Sequence, residues 1–242
     1  MKKTFKILIF TDLDATLLHR DTFKFDEIKD YLIRLISKGI FIIPNTSKTK
    51  KEILDFNKEL GSNLPYISEN GAAINGLDLL NSNLPKELIL SREKENLFQI
   101  FEMAVPIELQ NKCKWLSEMD KKKQGLILGL EKEKLKMALD RKYTIPFIFE
   151  GSKNEKKELS KIIKKKGLAL QEGGRVINLS DKVNKAKALQ VFVRFFKKNN
   201  KNVKTIAVGD NHNDLDMLKT SDFPCLVFND KFTLDEIHIK NL

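Results

Sequence analysis

The sequence contains few cysteines, few arginines and no long apolar run, and each of these shortages excludes a class of protein. The two cysteines, Cys113 and Cys225, stand alone and form no metal-binding or redox spacing, so a reduced, cytoplasmic setting is expected. No segment approaches the roughly 20 apolar residues that a membrane helix needs. The apolar run Ile7–Phe10 is too short for the core of a signal peptide and is typical of a buried strand. We therefore expect a cytoplasmic protein without a membrane partner.

The positive charge of the chain comes mostly from lysine. The formal net charge is +11, but only six residues are arginine, the residue that reads bases and grips phosphates bidentately. Lysines in short runs are typical of a solvated surface. We expect no nucleic-acid partner, although a basic nucleic-acid-binding protein on an inactive enzyme fold is the alternative from another class. Such a protein would show salt-dependent binding and no turnover.

Three apolar segments predict buried strands of a parallel sheet: Ile7–Phe10, Phe41–Pro44 and Thr205–Val208. A helix over Asp26–Lys38, ended by Gly39, separates the first two and predicts a strand–helix–strand crossover. Each strand runs directly into a polar segment. Because ligands bind outside the carboxyl ends of such strands, the polar segments should meet at one crevice.

The middle of the chain changes character and predicts a separate α+β unit. Helical segments rich in Lys and Glu alternate there with short apolar segments, among which Gln124–Leu130 is predicted to be a strand. We expect a doubly wound, Rossmann-like α/β core formed by residues 1–82 and 181–242. The α+β cap, residues 83–180, is inserted between them.

Carboxylates follow two of the predicted strands. Asp12 and Asp14 come after the first, and Asp210 and Asp214 come after Thr205–Val208. Like charges are costly to bring together unless a cation joins them, and carboxylate oxygens suit Mg²⁺. Taken singly, Asp12 and Asp14 are equally typical of a turn, and Asp214 of a helix N-cap. The joint pattern favours a shared Mg²⁺.

Hydroxyl and ammonium groups near the same edge suit a phosphoryl group. Thr46 and Ser47 follow the second strand just before a helix, where they either donate to phosphate or cap the helix. Lys185, at the start of the helix 185–198, is either a phosphate ligand or a surface lysine. Lys182 is the other candidate for that role.

Four motifs in order resemble the haloacid dehalogenase-like hydrolases. Thr11–Leu18 resembles the first signature of that superfamily, and Thr46, Lys185 and Gly209–Asp214 match the other three. Further segments are similar to the mannosyl-3-phosphoglycerate phosphatase family: Asn45–Thr49, Ser68–Ile74, Arg141–Phe147 and Gly173–Arg175. The resemblance spans the whole chain, including the predicted cap.

The resemblance implies a role for each matching residue. Asp12 attacks phosphorus, and Asp14 protonates the leaving alcohol and later activates water. Phosphoryl oxygens are held by Thr46, Ser47, Lys185 and Asn213. Mg²⁺ is bound by Asp12, the backbone carbonyl of Asp14, Asp210 and, in support, Asp214. Substrate contacts in the cap and loops come from Lys48, Asn70, Arg141, Gly174 and Arg175.

Some of these residues have a simpler interpretation, and two positions depart from the family pattern. Asn70 with its glycine is also typical of a tight turn, Arg175 of a surface turn, and Arg141 of a helix end. Ala15 and Ala186 stand where the family usually has glycine. If position 15 needs a positive φ, alanine costs on the order of 1 kcal/mol there.

The expected reaction is hydrolysis of mannosyl-3-phosphoglycerate to mannosylglycerate and phosphate by a monomer or homodimer that uses Mg²⁺. The substrate is thus a small phosphorylated sugar-glycerate. A glucosyl analogue is the nearest alternative, and sucrose phosphate or another sugar phosphate follows. The sequence does not separate them.

Overall fold

The computed structural model describes residues 5–200 and 202–228 of the 242. The strands are, in chain order, β1 (Lys6–Thr11), β2 (Phe41–Pro44), β3 (Tyr66–Ser68), β4 (Ala73–Asn75), β5 (Glu87–Ile89), β6 (Cys113–Trp115), β7 (Thr144–Phe149), β8 (Leu168–Glu172), β9 (Ile177–Asp181), β10 (Val203–Gly209) and β11 (Phe223–Leu226). The helices are α1 (Asp26–Ser37), α2 (Lys50–Leu60), α3 (Lys94–Ala104), α4 (Ile107–Gln110), α5 (Lys121–Leu128), α6 (Lys132–Leu139), α7 (Lys153–Lys165), α8 (Lys185–Lys197) and α9 (Leu215–Thr220).

The chain forms two compact units. The first comprises residues up to 48, 53–90 and 184 onward, and the second comprises residues 49–52 and 91–183.

The first unit is built on a parallel sheet with the strand order β11–β10–β1–β2. Phe10 of β1 pairs with Ala207 on one side and Ile43 on the other. Since all four strands run the same way, the carboxyl ends of β1, β2 and β10 lie at one edge of the sheet. A bridge between Asn45 and Ile67 brings β3 next to β2, and β3–β4–β5 continue as an antiparallel sheet.

Helices cover both faces of the parallel sheet, as the strands' continuous apolar character predicts. Ile42 packs in a cluster with residues of α1 and α2, including Leu32 and Phe56. Its neighbour Ile43 packs on the opposite face with residues of α8, including Phe192. The predicted doubly wound α/β core is thereby confirmed.

The second unit is an antiparallel sheet with helices against it. The strand order is β6–β7–β9–β8. Its buried cluster joins Phe101 of α3, Trp115 of β6, Phe147 of β7 and Leu159 of α7. The α+β character predicted for the middle of the chain is confirmed.

The predicted strand Gln124–Leu130 is wrong, because this segment lies mostly in helix α5. The Asp120 side chain accepts a hydrogen bond from the backbone N–H of Lys123 and so caps the helix. Gly129 ends the helix in the left-handed conformation. Leu126 is 76% exposed, so the apolar run is not a strand with two buried faces.

Within residues 5–200 and 202–228, no helix combines the length and the apolar character that crossing a membrane requires.

Candidate active site

Three buried carboxylates meet at the carboxyl edge of the parallel sheet. Asp12 follows β1, Asp210 follows β10, and Asp214 ends the 3-10 turn His212–Asp214. One carboxylate oxygen from each lies within 4.8 Å of the others. Their exposures are 7%, 2% and 0%, so solvent does little to screen the repulsion among them.

Asp12 is held through one of its two carboxylate oxygens. Its Oδ1 accepts a hydrogen bond of 2.8 Å from the backbone N–H of Leu13 and lies 3.0 Å from Nζ of Lys185. Its backbone N–H donates to Val208 O at 2.9 Å, which fixes the residue next to β10. Among the described residues, Oδ2 of Asp12 has no hydrogen-bond partner, so this oxygen is available to an incoming electrophile.

Asp214 organises its surroundings with both carboxylate oxygens. Oδ2 accepts from the backbone N–H groups of Asp210 and Asn211, at 3.2 and 3.1 Å, while Oδ1 accepts from Lys185 Nζ at 2.7 Å. Gly209 makes room for this arrangement, because a Cβ there would lie 2.5 Å from the Cβ of Asp214. The side chain does not cap α9, the role that was the alternative from sequence.

Lys185 is buried between Asp12 and Asp214, with an exposure of only 1%. Burial alone would lower the pKa of Lys185, but the charges of Asp12 and Asp214 outweigh it and hold the pKa above its ordinary value. Burial also raises the pKa of Asp214; the charge of Asp12 adds to this effect and Lys185 opposes it. Lys182, the other candidate from sequence, is exposed and belongs to the second unit.

The charges at this edge fit a divalent cation. When all are ionised, Asp12, Asp210 and Asp214 against Lys185 leave a net charge of −2. The donors are all oxygens, which Mg²⁺ prefers to nitrogen or sulfur. The residues present therefore fit Mg²⁺.

Asp14 lies outside this cluster and has a different partner. Nζ of Lys48 lies 2.9 Å from Oδ1 of Asp14, whose side chain is 40% exposed, and 5.1 Å from the centre of the Phe23 ring. The side chain of Asp14 is thus more accessible than those of the three clustered aspartates. This exposure suits a residue that exchanges protons with substrate and water.

The turn after Asp14 requires an unusual backbone conformation. Ala15 has a φ of 58°, in the left-handed region. The N–H groups of Thr16, Leu17 and Leu18 all donate to Leu13 O, at 3.2, 3.0 and 2.8 Å, and they close this turn. Thr16 Oγ1 in turn donates to Asp210 Oδ1 at 3.3 Å. The strained turn therefore joins the Asp12–Asp14 loop to the carboxylate of Asp210.

The loop after β2 and the turn 69–71 are joined by backbone hydrogen bonds. The backbone N–H of Asn70 donates to Thr46 O at 2.9 Å, and that of Glu69 donates to Lys48 O at 2.9 Å. Positive φ values at residues 69–71 make this a tight turn, so the simpler interpretation of Asn70 describes its backbone correctly. The Asn70 side chain is buried, and among the described residues its Oδ1 lacks a hydrogen-bond partner.

The remaining predicted site residues lie in three places. Ser47 follows the fully buried Thr46, and Asn213 lies in the 3-10 turn, where its Oδ1 is buried. The other three belong to the second unit: Arg141, Gly174 and Arg175.

The environments of the second-unit residues differ. Arg141 donates to Ala138 O at 3.1 Å and to Thr144 Oγ1 at 3.0 Å. The guanidinium of Arg175 lies against Gly129, where an added Cβ would be 2.5 Å from Nη1. A side chain at Gly174 would meet no atom within 4 Å.

Sequence reasoning gave no role to two residues that contact the site. Thr16 bonds Asp210, and Asn45 bonds the backbone of Lys185. For Asn45 the signal in the sequence was a polar side chain directly after a buried strand and next to Thr46, whereas Thr16 lies in the turn after Asp14 and only its place in the first motif pointed to it.

Comparisons with known proteins agree with this geometry. A model of the haloacid dehalogenase-like hydrolases matches residues 9–237. A glucosyl-3-phosphoglycerate/mannosyl-3-phosphoglycerate phosphatase from Persephonella marina is 34% identical over 231 residues, which are 91% of this chain and 84% of the relative. A phosphatase of the same name from Methanococcoides burtonii is 32% identical over 240 residues, covering 92% and 85%.

A solved structure from Streptococcus mutans shares the fold, with a TM-score of 0.68 at 18% identity over 93% of this chain and 88% of that one. The family match spans all four motifs at the carboxyl edge of the sheet and the whole of the second unit. The chain therefore belongs to the haloacid dehalogenase-like hydrolases and, within them, to the family of the mannosyl-3-phosphoglycerate phosphatases.

Proposed function

We propose that the chain hydrolyses mannosyl-3-phosphoglycerate to mannosylglycerate and phosphate, with Mg²⁺ and through an aspartyl-phosphate on Asp12. Phosphoric monoester hydrolysis is the activity that the names of the curated relatives share, and the relatives named above carry both a glucosyl and a mannosyl substrate. The glucosyl ester is therefore the first alternative substrate. The observation that carries the proposal is the buried group of Asp12, Lys185, Asp210 and Asp214 at one sheet edge.

In the first step, Oδ2 of Asp12 attacks phosphorus and the ester oxygen leaves. Oδ1 stays bound to the Leu13 N–H and Lys185, so the carboxylate is oriented before the substrate arrives. Lys185 supplies positive charge next to the phosphoryl oxygens as their negative charge shifts. The covalent intermediate divides one difficult hydrolysis into two easier steps.

Asp14 transfers the protons of both steps. In the first it gives a proton to the leaving alcohol, and in the second it takes one from the water that attacks the aspartyl-phosphate. The Lys48 ammonium, 2.9 Å away, balances the charge of the Asp14 carboxylate after the first step, until the second step returns its proton. The hydroxyls of Thr46 and Ser47 are proposed to hold phosphoryl oxygens, with Asn213.

Mg²⁺ would be held by Asp12, Asp210 and the backbone carbonyl of Asp14, with Asp214 in support. When bound, it supplies Lewis-acid charge that offsets the repulsion between the nucleophile and the phosphate. Asp214 contributes by fixing Lys185 and the N–H groups of Asp210 and Asn211.

The specificity for the sugar-glycerate part is proposed from the family resemblance. Lys48, Asn70, Arg141, Gly174 and Arg175 match the motifs that carry it. Arginine suits the glycerate carboxylate, because its planar fork binds a carboxylate through two parallel hydrogen bonds.

Phosphate release from a panel of esters tests the substrate. The panel contains mannosyl- and glucosyl-3-phosphoglycerate, sucrose 6-phosphate and simple hexose phosphates, each with Mg²⁺ and with a chelator. We expect the two 3-phosphoglycerates to be hydrolysed fastest, and only with the metal. Equal slow release from every ester would contradict the substrate but leave the chemistry intact.

An Asp12→Asn variant tests the nucleophile. It should lose turnover of every ester, because an amide is a far weaker nucleophile than a carboxylate. Asp216→Asn is the matched control, since Asp216 is exposed on α9 and should be dispensable. Wild-type turnover by Asp12→Asn would show that another residue attacks phosphorus.

A further inference from the structure

Two loops of the first unit contact the backbone at the start of helix α8, and both are distant from that helix in sequence. Asn184 caps the helix with its own side chain, which accepts a hydrogen bond from the N–H of Lys187 at 2.8 Å. The next residue, Lys185, carries the ammonium that meets Asp12 and Asp214. Where the peptide between residues 184 and 185 lies therefore decides where this ammonium can reach.

Asn45 holds this backbone from the end of β2. Its Nδ2 donates to Lys185 O at 3.0 Å, although the two residues are 140 positions apart. The side chain is completely buried, and among the described residues its Oδ1 accepts no hydrogen bond. An amide with an unsatisfied buried oxygen is costly, so the donor side must contribute something that an apolar residue would not.

Gly71 holds the same backbone from the other loop. It has a φ of 97°, and a Cβ built on it would lie 2.3 Å from Asn184 O. No side chain fits in that space without moving the Asn184 carbonyl. The turn 69–71 thus packs its backbone directly against the start of α8.

We propose that Asn45 is a positioning residue for phosphoryl transfer, which acts by fixing the Lys185 backbone so that its ammonium lies between Asp12 and Asp214. A lysine side chain carries its charge on a flexible stem of four carbons, so the side chain alone does not fix the position of the ammonium. The carbonyl of Lys185 accepts a hydrogen bond from Asn45, and the preceding carbonyl packs on Gly71. The Cα of Lys185 is therefore held on two sides. The inference rests on the role proposed for Lys185.

Asn57 offers a matched control within the same unit. It is also a buried asparagine whose Nδ2 donates to a backbone carbonyl, that of Leu64 at 3.1 Å, and whose Oδ1 has no partner among the described residues. Asn57 is part of α2 and does not bond to Lys185. Asn45→Ala and Asn57→Ala therefore both remove a hydrogen bond from a buried amide to a backbone carbonyl, and Asn45→Ala also removes a hydrogen bond of 3.3 Å from Nδ2 to Met217 Sδ.

The test compares both variants with Mg²⁺ present, using p-nitrophenyl phosphate so that the result does not depend on the sugar. Both should melt at lower temperature than wild type. Only Asn45→Ala should lower kcat/KM, by roughly 10- to 100-fold, and weaken competitive inhibition by inorganic phosphate, because a small displacement of a charge costs that much. Asn45→Ser, whose hydroxyl is too short to reach Lys185 O, replaces Asn45→Ala if the latter does not fold.

A Lys185→Ala background separates positioning from general damage. If Asn45 acts through Lys185, adding Asn45→Ala to Lys185→Ala should reduce kcat/KM little further. An equal reduction in both backgrounds, or an Asn45 variant as active as Asn57→Ala, would overturn the inference alone. Wild-type activity of Lys185→Ala itself would instead overturn the role proposed for that lysine, and the inference with it.

Discussion

Replacing Ala15 with glycine should make the protein more stable. Ala15 has a φ of 58°, and the three N–H groups that converge on Leu13 O hold it there. In this region the Cβ crowds the following carbonyl, at a cost of about 1–2 kcal/mol that glycine does not incur. Ala186, the other position where the family usually has glycine, is helical and has no positive φ. Replacement by glycine should therefore have opposite effects on stability at the two positions.

The size of the effect follows from two opposing terms. Relief of the left-handed strain is worth about 1–2 kcal/mol, and the greater freedom of glycine in the unfolded chain takes back about 0.4–1 kcal/mol. Ala15→Gly should therefore gain about 1 kcal/mol, or about 2–4 °C in melting temperature for a chain of this size. Ala186→Gly should lose about 0.5–1 kcal/mol, because glycine disfavours a helix.

Thermal and urea unfolding followed by far-ultraviolet circular dichroism would measure both changes. The fluorescence of Trp115, the only tryptophan, reports the second unit, and coincidence of the two signals would justify a two-state free energy. If Ala15→Gly were destabilised like Ala186→Gly, the strain argument would be refuted. Turnover should persist in Ala15→Gly, since the side chains of Asp14 and Thr16 are unchanged.

Three further predictions concern the site and the second unit. Gly209→Ala should lose most phosphate release, because its Cβ would lie 2.5 Å from the Cβ of Asp214, whereas Gly61→Ala, which adds a Cβ in open space, should affect only stability. Arg92 lowers the pKa of Asp181 from 3.8 to about 2, so their pair stabilises the fold above pH 3.8 and loses this effect as pH falls through 2. After discounting for solvent exposure, the pair should contribute about 1 kcal/mol to stability. The difference in melting temperature between wild type and Arg92→Ala should therefore shrink as pH falls from 3.8 to 2, and a constant difference would disprove the contribution of the pair. If Mg²⁺ binds the folded site as proposed, it should raise the melting temperature of the wild type, and NaCl of equal ionic strength should not.

The sequence was sufficient to predict the sheet and the place where its acidic loops meet. Apolar segments such as Ile7–Phe10 run directly into polar ones, and in a parallel sheet such transitions all fall at one edge. Helix α5 could not be predicted in the same way. Its apolar run has no clear helical face, and its identity depends on the cap at Asp120 and the left-handed Gly129.

Contacts between distant segments were the other part that the sequence did not predict. Lysine is rarely buried, and the burial of Lys185 depends on two carboxylates from the segments that follow β1 and β10. The bond from Asn45 to Lys185 joins residues 140 positions apart, and only the fold shows it. From the sequence, strain at Ala15 could be predicted only on the condition that position 15 needs a positive φ. The structure was required to show that φ value.

The buried charges link the stability of the fold to the metal-dependent reaction that we propose. Lys185 offsets only one of the three clustered carboxylates, so folding alone leaves a net charge of −2 in a space with little water. Such a cluster lowers stability, and the hydrogen bonds that Asp214 accepts from the backbone N–H groups of Asp210 and Asn211 offset part of that loss. A divalent cation removes the same unfavourable charge that would otherwise repel a phosphate. We therefore expect the three carboxylates that destabilise the fold without a cation to hold the Mg²⁺ that, in the proposed reaction, lets Asp12 attack a phosphate ester.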